Sequence, residues 1–338
     1  MASAGWLLWA VIIAALFFDY VNGFHDTANA IATTVLTGAL SIPMAIFMAA
    51  GLNFAGAFFS HAVAKTIAHD IVDKARFDVS LGTILAALLA AIAWNLITWR
   101  QGLPSSSSHA LIGGIIGAVV GQALIQHHRL DVFLAKGITK TAIALVISPI
   151  FGFLVGHLFM VGLMWIFRHT APSKLTRSFK FFQVLSAASM ALSHGTNDTQ
   201  KTMGVITMAL LSAGYLKTAD IPGWVVVVCA AAMAFGTAAG GWRIIKTVGR
   251  KVMTLQPVHG FAAETSGAAV IFAASFFGAP VSTTHVISSS IMGVGSAQSF
   301  SGVRWNVVRQ IIGAWVLTFP VTAVLAALCT VLLHPLLG

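Results

Sequence analysis

The chain reads as long apolar blocks separated by short polar interruptions. Apolar blocks at 5–22, 42–63, 79–98, 138–167, 222–240, 257–277 and 306–333 are each about 18 residues or longer, the length that suits a helix crossing a bilayer. The pattern predicts an all-α, polytopic membrane protein. One long polar stretch, the basic segment 168–181, stands between apolar blocks. It divides the chain into an N-terminal transmembrane repeat over 1–167, a cytoplasmic linker over 168–181 and a C-terminal transmembrane repeat over 182–338.

The word repeat rests on two motif pairs in register. Gly23-Phe24-His25-Asp26-Thr27-Ala28-Asn29 interrupts one apolar block, and Gly195-Thr196-Asn197-Asp198-Thr199-Gln200-Lys201 interrupts another. Pro104-Ser105-Ser106-Ser107-Ser108-His109 is matched by Pro280-Val281-Ser282-Thr283-Thr284-His285, and each is followed eight residues after its His by a glycine, Gly117 or Gly293. The offsets are 172 and 176 residues, so order and spacing recur together. Duplicated halves with broken or re-entrant helices at matching places point to a transporter site between them. An odd number of crossings per half makes the repeats inverted, which is the expected arrangement; an even number makes them parallel.

Composition sharpens this. Of 338 residues, 58% are hydrophobic and 8% charged, against about 25% charged in a soluble domain. Too few charges remain to cover a water-facing surface. The net charge of +10 would suggest nucleic acid in a soluble chain, but no soluble domain exists here to carry that function. Basic residues gather instead as expected of cytoplasmic loops, at Arg168, Lys174, Arg177 and Lys180 and at Arg243, Lys246, Arg250 and Lys251. Cys229 and Cys329 lie in apolar runs without CxxC spacing and read as packing residues. The start Met1-Ala-Ser-Ala-Gly lacks the basic region of a cleaved signal, so the first apolar block is expected to remain a helix.

The acidic motifs read as a coupling-ion site. An ionised carboxylate at a bilayer centre costs at least about 2.5–3.5 kcal/mol, so Asp26 and Asp198 need a cation, a proton or a basic partner. Gly23 and Gly195 are expected to let the helices unwind and free carbonyls for a hard cation. Asn22, Asn29 and Asn197 add neutral oxygens, while His25 and His194 are candidate proton carriers. Lys201 is either the counter-charge of Asp198 or a ligand for an anion. Glu264 is an isolated acid with no mate in the first half, and Lys251 or Arg243 is its expected counter-charge.

The Ser/Thr motifs read as an anion site. A proline, small hydroxyl residues and then an apolar run predict a helix N-terminus. Its unpaired N–H groups and positive partial charge suit an oxyanion. Ser105, Ser106, Ser107 and Ser108 with Ser282, Thr283 and Thr284 add neutral donors; the bland alternative is back-bonding to their own helices. His109 and His285 are equivalent, as supports of the hydroxyls or as proton exchangers. Neither cluster contains an Arg or an acid, which argues against phosphoryl chemistry. A channel would need a continuous charged or carbonyl-lined ring. The chain is therefore not expected to be an enzyme.

The acidic repeats, the Pro-x-Ser-[Ser/Thr]-[Ser/Thr]-His repeats and Gly241-Trp242-Arg243-Ile244-Ile245-Lys246-Thr247 resemble the signatures of the inorganic phosphate transporter family over nearly the whole chain. The resemblance implies two inverted repeats with re-entrant segments, a multi-pass location in the cytoplasmic (inner) membrane, and secondary symport. It places Asp26, Asn29 and Asp198 at cation sites and the Ser/Thr clusters at phosphate. Sodium-coupled members typically carry Gly-Ala-Asn-Asp where this chain has Gly23-Phe24-His25-Asp26, and Gln200-Lys201 stands where the first copy has Ala28-Asn29. These departures resemble the bacterial low-affinity, proton-coupled branch, in which a divalent metal can travel with phosphate. The expected partners are inorganic phosphate and the bilayer, with no cofactor and no resident metal. Sodium coupling, sulfate as substrate and a homo-oligomer stay open.

Overall fold

The computed structural model describes residues 2–72, 77–127, 133, 135–240 and 252–337, with the side chains of 2–4, 27–30, 135–136, 172–173 and 335–337 left out. The Gly241–Thr247 motif and the basic cluster through Lys251 therefore lie outside the described residues, as does the side chain of Asn29.

Among the described residues the architecture is helical. In the first half run α1 (Ala2–Leu36), α2 (Ile42–Gly56), the short α3 (Ala62–Lys65), α4 (Leu81–Gln101), α5 (Ser107–Ile125) and α6 (Ala135–Ile166). In the second run α7 (Pro172–Ser212), α8 (Gly223–Ala239), α9 (Pro257–Phe276), α10 (Thr283–Gln298) and α11 (Trp305–Leu337). Five of these, α1, α4, α5, α6 and α11, are long and apolar enough to cross a membrane. The apolar blocks at 42–63, 222–240 and 257–277 become α2, α8 and α9, the first two too short to cross unaided. Large apolar side chains such as Phe47, Phe277 and Leu332 are exposed on the outside, as expected where lipid is the solvent.

The helices exchange partners between halves. α1 packs on α8, and its counterpart α7 packs on α2. α5 packs on α11, and its counterpart α10 packs on α6. α1 and α7 run antiparallel: Asp19 faces Thr202, Asp26 sits with His194 and Asp198, and Thr37 donates to Gln183 Oε1 at 2.7 Å. Partner numbers fall along α7 as they rise along α1.

One expectation is corrected. α1 and α7 do not unwind at their acidic motifs; both are continuous α-helix there. Gly23 and Gly195 serve close approach instead. A Cβ at Gly195 would lie 2.3 Å from the Asn53 carbonyl oxygen, and one at Gly23 2.5 Å from that of Met233. Gly195→Val is expected to force α2 and α7 apart and destroy folding; a monodisperse, full-yield detergent extract of that variant would contradict this. The segment 168–181 is helical from Pro172 onward, because proline is at home in a helix's first turn.

The breaks fall at the Ser/Thr motifs. α4 ends on Gly102 with φ 67°, two residues before Pro104, and α9 is followed by Gly278 with φ 63°, two residues before Pro280. The left-handed glycine stops each helix, and an extended segment then leads to the next start.

Candidate functional site

α5 and α10 begin at the positions the hydroxyl motifs predict, with Ser106 and Ser282 as N-caps. Ser106 Oγ accepts from the His109 N–H at 3.1 Å and Ser282 Oγ from the His285 N–H at 3.2 Å. This is the capping bond that Ser makes when a helix leaves first-turn donors unpaired. The two starts meet: Ser108 Oγ donates to the Val281 carbonyl at 2.9 Å, and the rings of His109 and His285 stand 4.5 Å apart. Two positive helix ends therefore converge on one place.

All seven predicted hydroxyl residues are buried, but they divide by role. Ser105 pairs with Thr98 Oγ1 at 2.7 Å, and Ser106 also contacts His109 Nδ1 at 2.8 Å. With Ser282, these turn their hydroxyls to the protein. Ser107 Oγ has no protein partner. Ser108 Oγ takes a bond from Lys201 Nζ at 2.5 Å, and Thr283 Oγ1 donates to Asp198 Oδ2 at 3.0 Å. Ser108 and Thr283 thus face the charged residues. His109 and His285 sit behind them as packing: His285 stacks on Trp315 with ring centroids 3.9 Å apart, and Trp315 Nε1 donates to the Pro104 carbonyl at 2.9 Å.

The acidic motifs arrive from α1 and α7. Asp198 is ion-paired with Lys201, one turn along the same helix, and both are buried. Lys201 is accordingly counter-charge and hydroxyl partner at once. Asp26 lies 2.7 Å from His25 Nδ1, and His25 Nε2 reaches Thr98 Oγ1 at 3.2 Å. His194 Nδ1 lies 3.1 Å from Asn53 Oδ1, a carbonyl that fixes the ring proton on Nδ1. Its Nε2 is then turned to Asp198 Oδ2 at 3.4 Å. Asp26, His194 and Asp198 each offer a ligand atom, all within 4.8 Å of one another. Two carboxylates and an imidazole at this spacing form a donor set of the kind that suits a cation.

The remaining candidates spread out. Asn197 turns away, donating to Ser275 Oγ at 2.9 Å and the Ala279 carbonyl at 3.4 Å. Asn22 is buried one turn before Asp26. Glu264 stands apart with partners from two other helices: Thr34 at 2.6 Å, Ser186 at 2.5 Å, Gln183 at 3.3 Å, and Thr33. Its expected counter-charges, Lys251 and Arg243, lie outside the described residues. The structure also brings in Thr98 and Asp19. Asp19 shares a helical face with Asn22 and Asp26, at spacings of three and seven residues, and that spacing was the available signal.

Comparison with known proteins agrees with this geometry. The phosphate transporter family's sequence profile matches residues 22–326. A Bacillus subtilis (strain 168) protein named "probable low-affinity inorganic phosphate transporter" is 49% identical over 328 residues, 96% of each chain. A Rhizobium meliloti (strain 1021) protein of the same name is 46% identical over 325 residues, 96% of this chain and 95% of its own. Among solved structures, one described as "The sodium-dependent phosphate transporter" superposes with a TM-score of 0.88 at 25% identity, over 98% of this chain and 100% of that one. These are transporters and not enzymes, and the chain belongs to the phosphate transporter family.

Proposed function

We propose that this chain is a secondary symporter that moves inorganic phosphate with protons across the cytoplasmic membrane. The observation that carries the reading is the contact between the two candidate sites. Lys201 joins Asp198 to Ser108, and Thr283 joins the α10 start to Asp198. An oxyanion seated at the helix starts would draw on Lys201, and a proton or cation on Asp198 would release it. Each ligand thereby alters the other's affinity, which is the requirement for coupling.

Phosphate is favoured over sulfate by the acceptor beside the anion position. A protonated phosphate can donate to Asp198, whereas sulfate has no proton to give. Protons are favoured over sodium by the partners already present. Lys201 occupies one face of Asp198 and His25 one of Asp26, leaving fewer oxygens for a hard cation. Sodium is the second reading, favoured by the likeness to a structure named for its sodium dependence. A divalent metal accompanying phosphate belongs here as cargo.

The antiparallel α1 and α7 support inverted repeats, since motif-equivalent helices then cross the membrane in opposite senses. Rocking of one repeat on the other would expose the site alternately, with residues 168–181 on the cytoplasmic side. Proteoliposomes loaded with separate pH and sodium gradients provide the test. Labelled phosphate should accumulate under the pH gradient alone, with excess sulfate inert. Accumulation under sodium alone would overturn proton coupling, and transport of sulfate in place of phosphate would overturn the substrate.

A further inference from the structure

Asp19 is fully buried, and among the described residues no basic group pairs with its carboxylate. The other two acids of the α1–α7 pair are answered by close basic groups, Asp26 by His25 and Asp198 by Lys201. Asp19 is not. What faces it is polar but neutral: Asn22 on its own helix and Thr202 on α7, both buried and both hydrogen-bonding neighbours of the carboxylate. Cys229 of α8 is also close by. Lys201 and Asp198 are its nearest charged neighbours, and they are engaged with each other. A buried carboxylate with only a neutral amide and a neutral hydroxyl beside it makes a small oxygen-lined station with no basic group of its own to neutralise it.

Its place in the fold gives that station a direction. Asp19 precedes Asp26 by seven residues, two turns or about 10 Å along the helix, with Asn22 between. Thr202 lies farther from the 168–181 segment than Asp198 does, so the station is on the opposite side of the site from that segment. A largely apolar recess of about 370 Å³ lies toward that same end of the two helices, with Ile12 and Leu210 in its wall. These are about two turns from Asp19 and Thr202.

We propose that Asp19, with Asn22 and Thr202, is a binding station for one small monovalent cation that is carried with the anion. The chemistry is neutralisation of a buried carboxylate, and a proton and a sodium ion are the two sources of it. The proposal rests on the coupled-transport reading. One cation bound at Asp19 weakens the pull of that carboxylate on Lys201 and leaves the ammonium to Asp198 and the anion.

The test is the number of cations moved per phosphate, read from the reversal potential of phosphate flux in proteoliposomes under imposed pH or sodium gradients. Asp19→Asn should lower that number by one, and Asp19→Glu should restore it, whichever ion is the driver. An unchanged stoichiometry in Asp19→Asn overturns the station. If that variant does not insert, Thr202→Val decides, because it keeps the carboxylate and removes only the facing hydroxyl. The driving-cation concentration for half-maximal uptake should rise several-fold, and an unchanged value overturns the proposal. Failure of the unaltered protein to accumulate phosphate under any gradient would instead sink the coupled-transport reading.

Discussion

Asp198→Asn is expected to abolish gradient-driven phosphate uptake and to destabilise the protein at the same time. Asp198 and Lys201 are both buried and ion-paired. Removing one partner of such a pair leaves a buried charge unanswered, at a cost of about 3–5 kcal/mol. The double variant Asp198→Asn, Lys201→Met removes both charges and should recover most of that loss, because a neutral pair has no desolvation left to offset. Transport should not return with stability, since the group joining anion and cation sites is gone. Thermal unfolding in detergent and uptake in proteoliposomes separate the two effects. A double variant that transports at the original rate would show that the pair is structural only.

Loss of the site-facing hydroxyls should act on affinity. Ser107 Oγ has no protein partner, so Ser107→Ala breaks no internal bond and should leave insertion intact. A hydrogen bond to a charged group is worth about 1.5–3 kcal/mol, which corresponds to a rise of about tenfold to a hundredfold in the KM for phosphate. Thr283→Val should behave differently, because Thr283 also holds Asp198. It should raise KM and shift the dependence on the driving cation together. Initial-rate uptake over a phosphate series at several cation concentrations distinguishes them. An unchanged KM in both variants would remove the helix starts as the anion site.

Much of this was legible in the chain. The apolar blocks mark the helices, because a segment facing lipid or packed core must be apolar along its length. The repeated Pro and hydroxyl motifs mark the starts of α5 and α10, because capping is a local property of a few residues. The repeated spacing pairs Asp26 with Asp198 and one Ser/Thr cluster with the other.

What the chain did not disclose is what each side chain meets. Gly23 and Gly195 read equally well as hinges or as contact points, and only the neighbouring carbonyls of Met233 and Asn53 decide for contact. That Lys201 touches Ser108, 93 residues away, follows from α5 and α7 meeting, which no local pattern encodes. Glu264, a lone acid in an apolar run, finds its partners on α1 and α7, whereas Asp19 has only the neutral Asn22 and Thr202 beside it. Helix formation and capping depend on neighbours within about four residues, so the sequence alone determines where helices begin and which faces are polar. Whether a buried charge is answered depends on which faces are pressed together, and only the tertiary structure decides that.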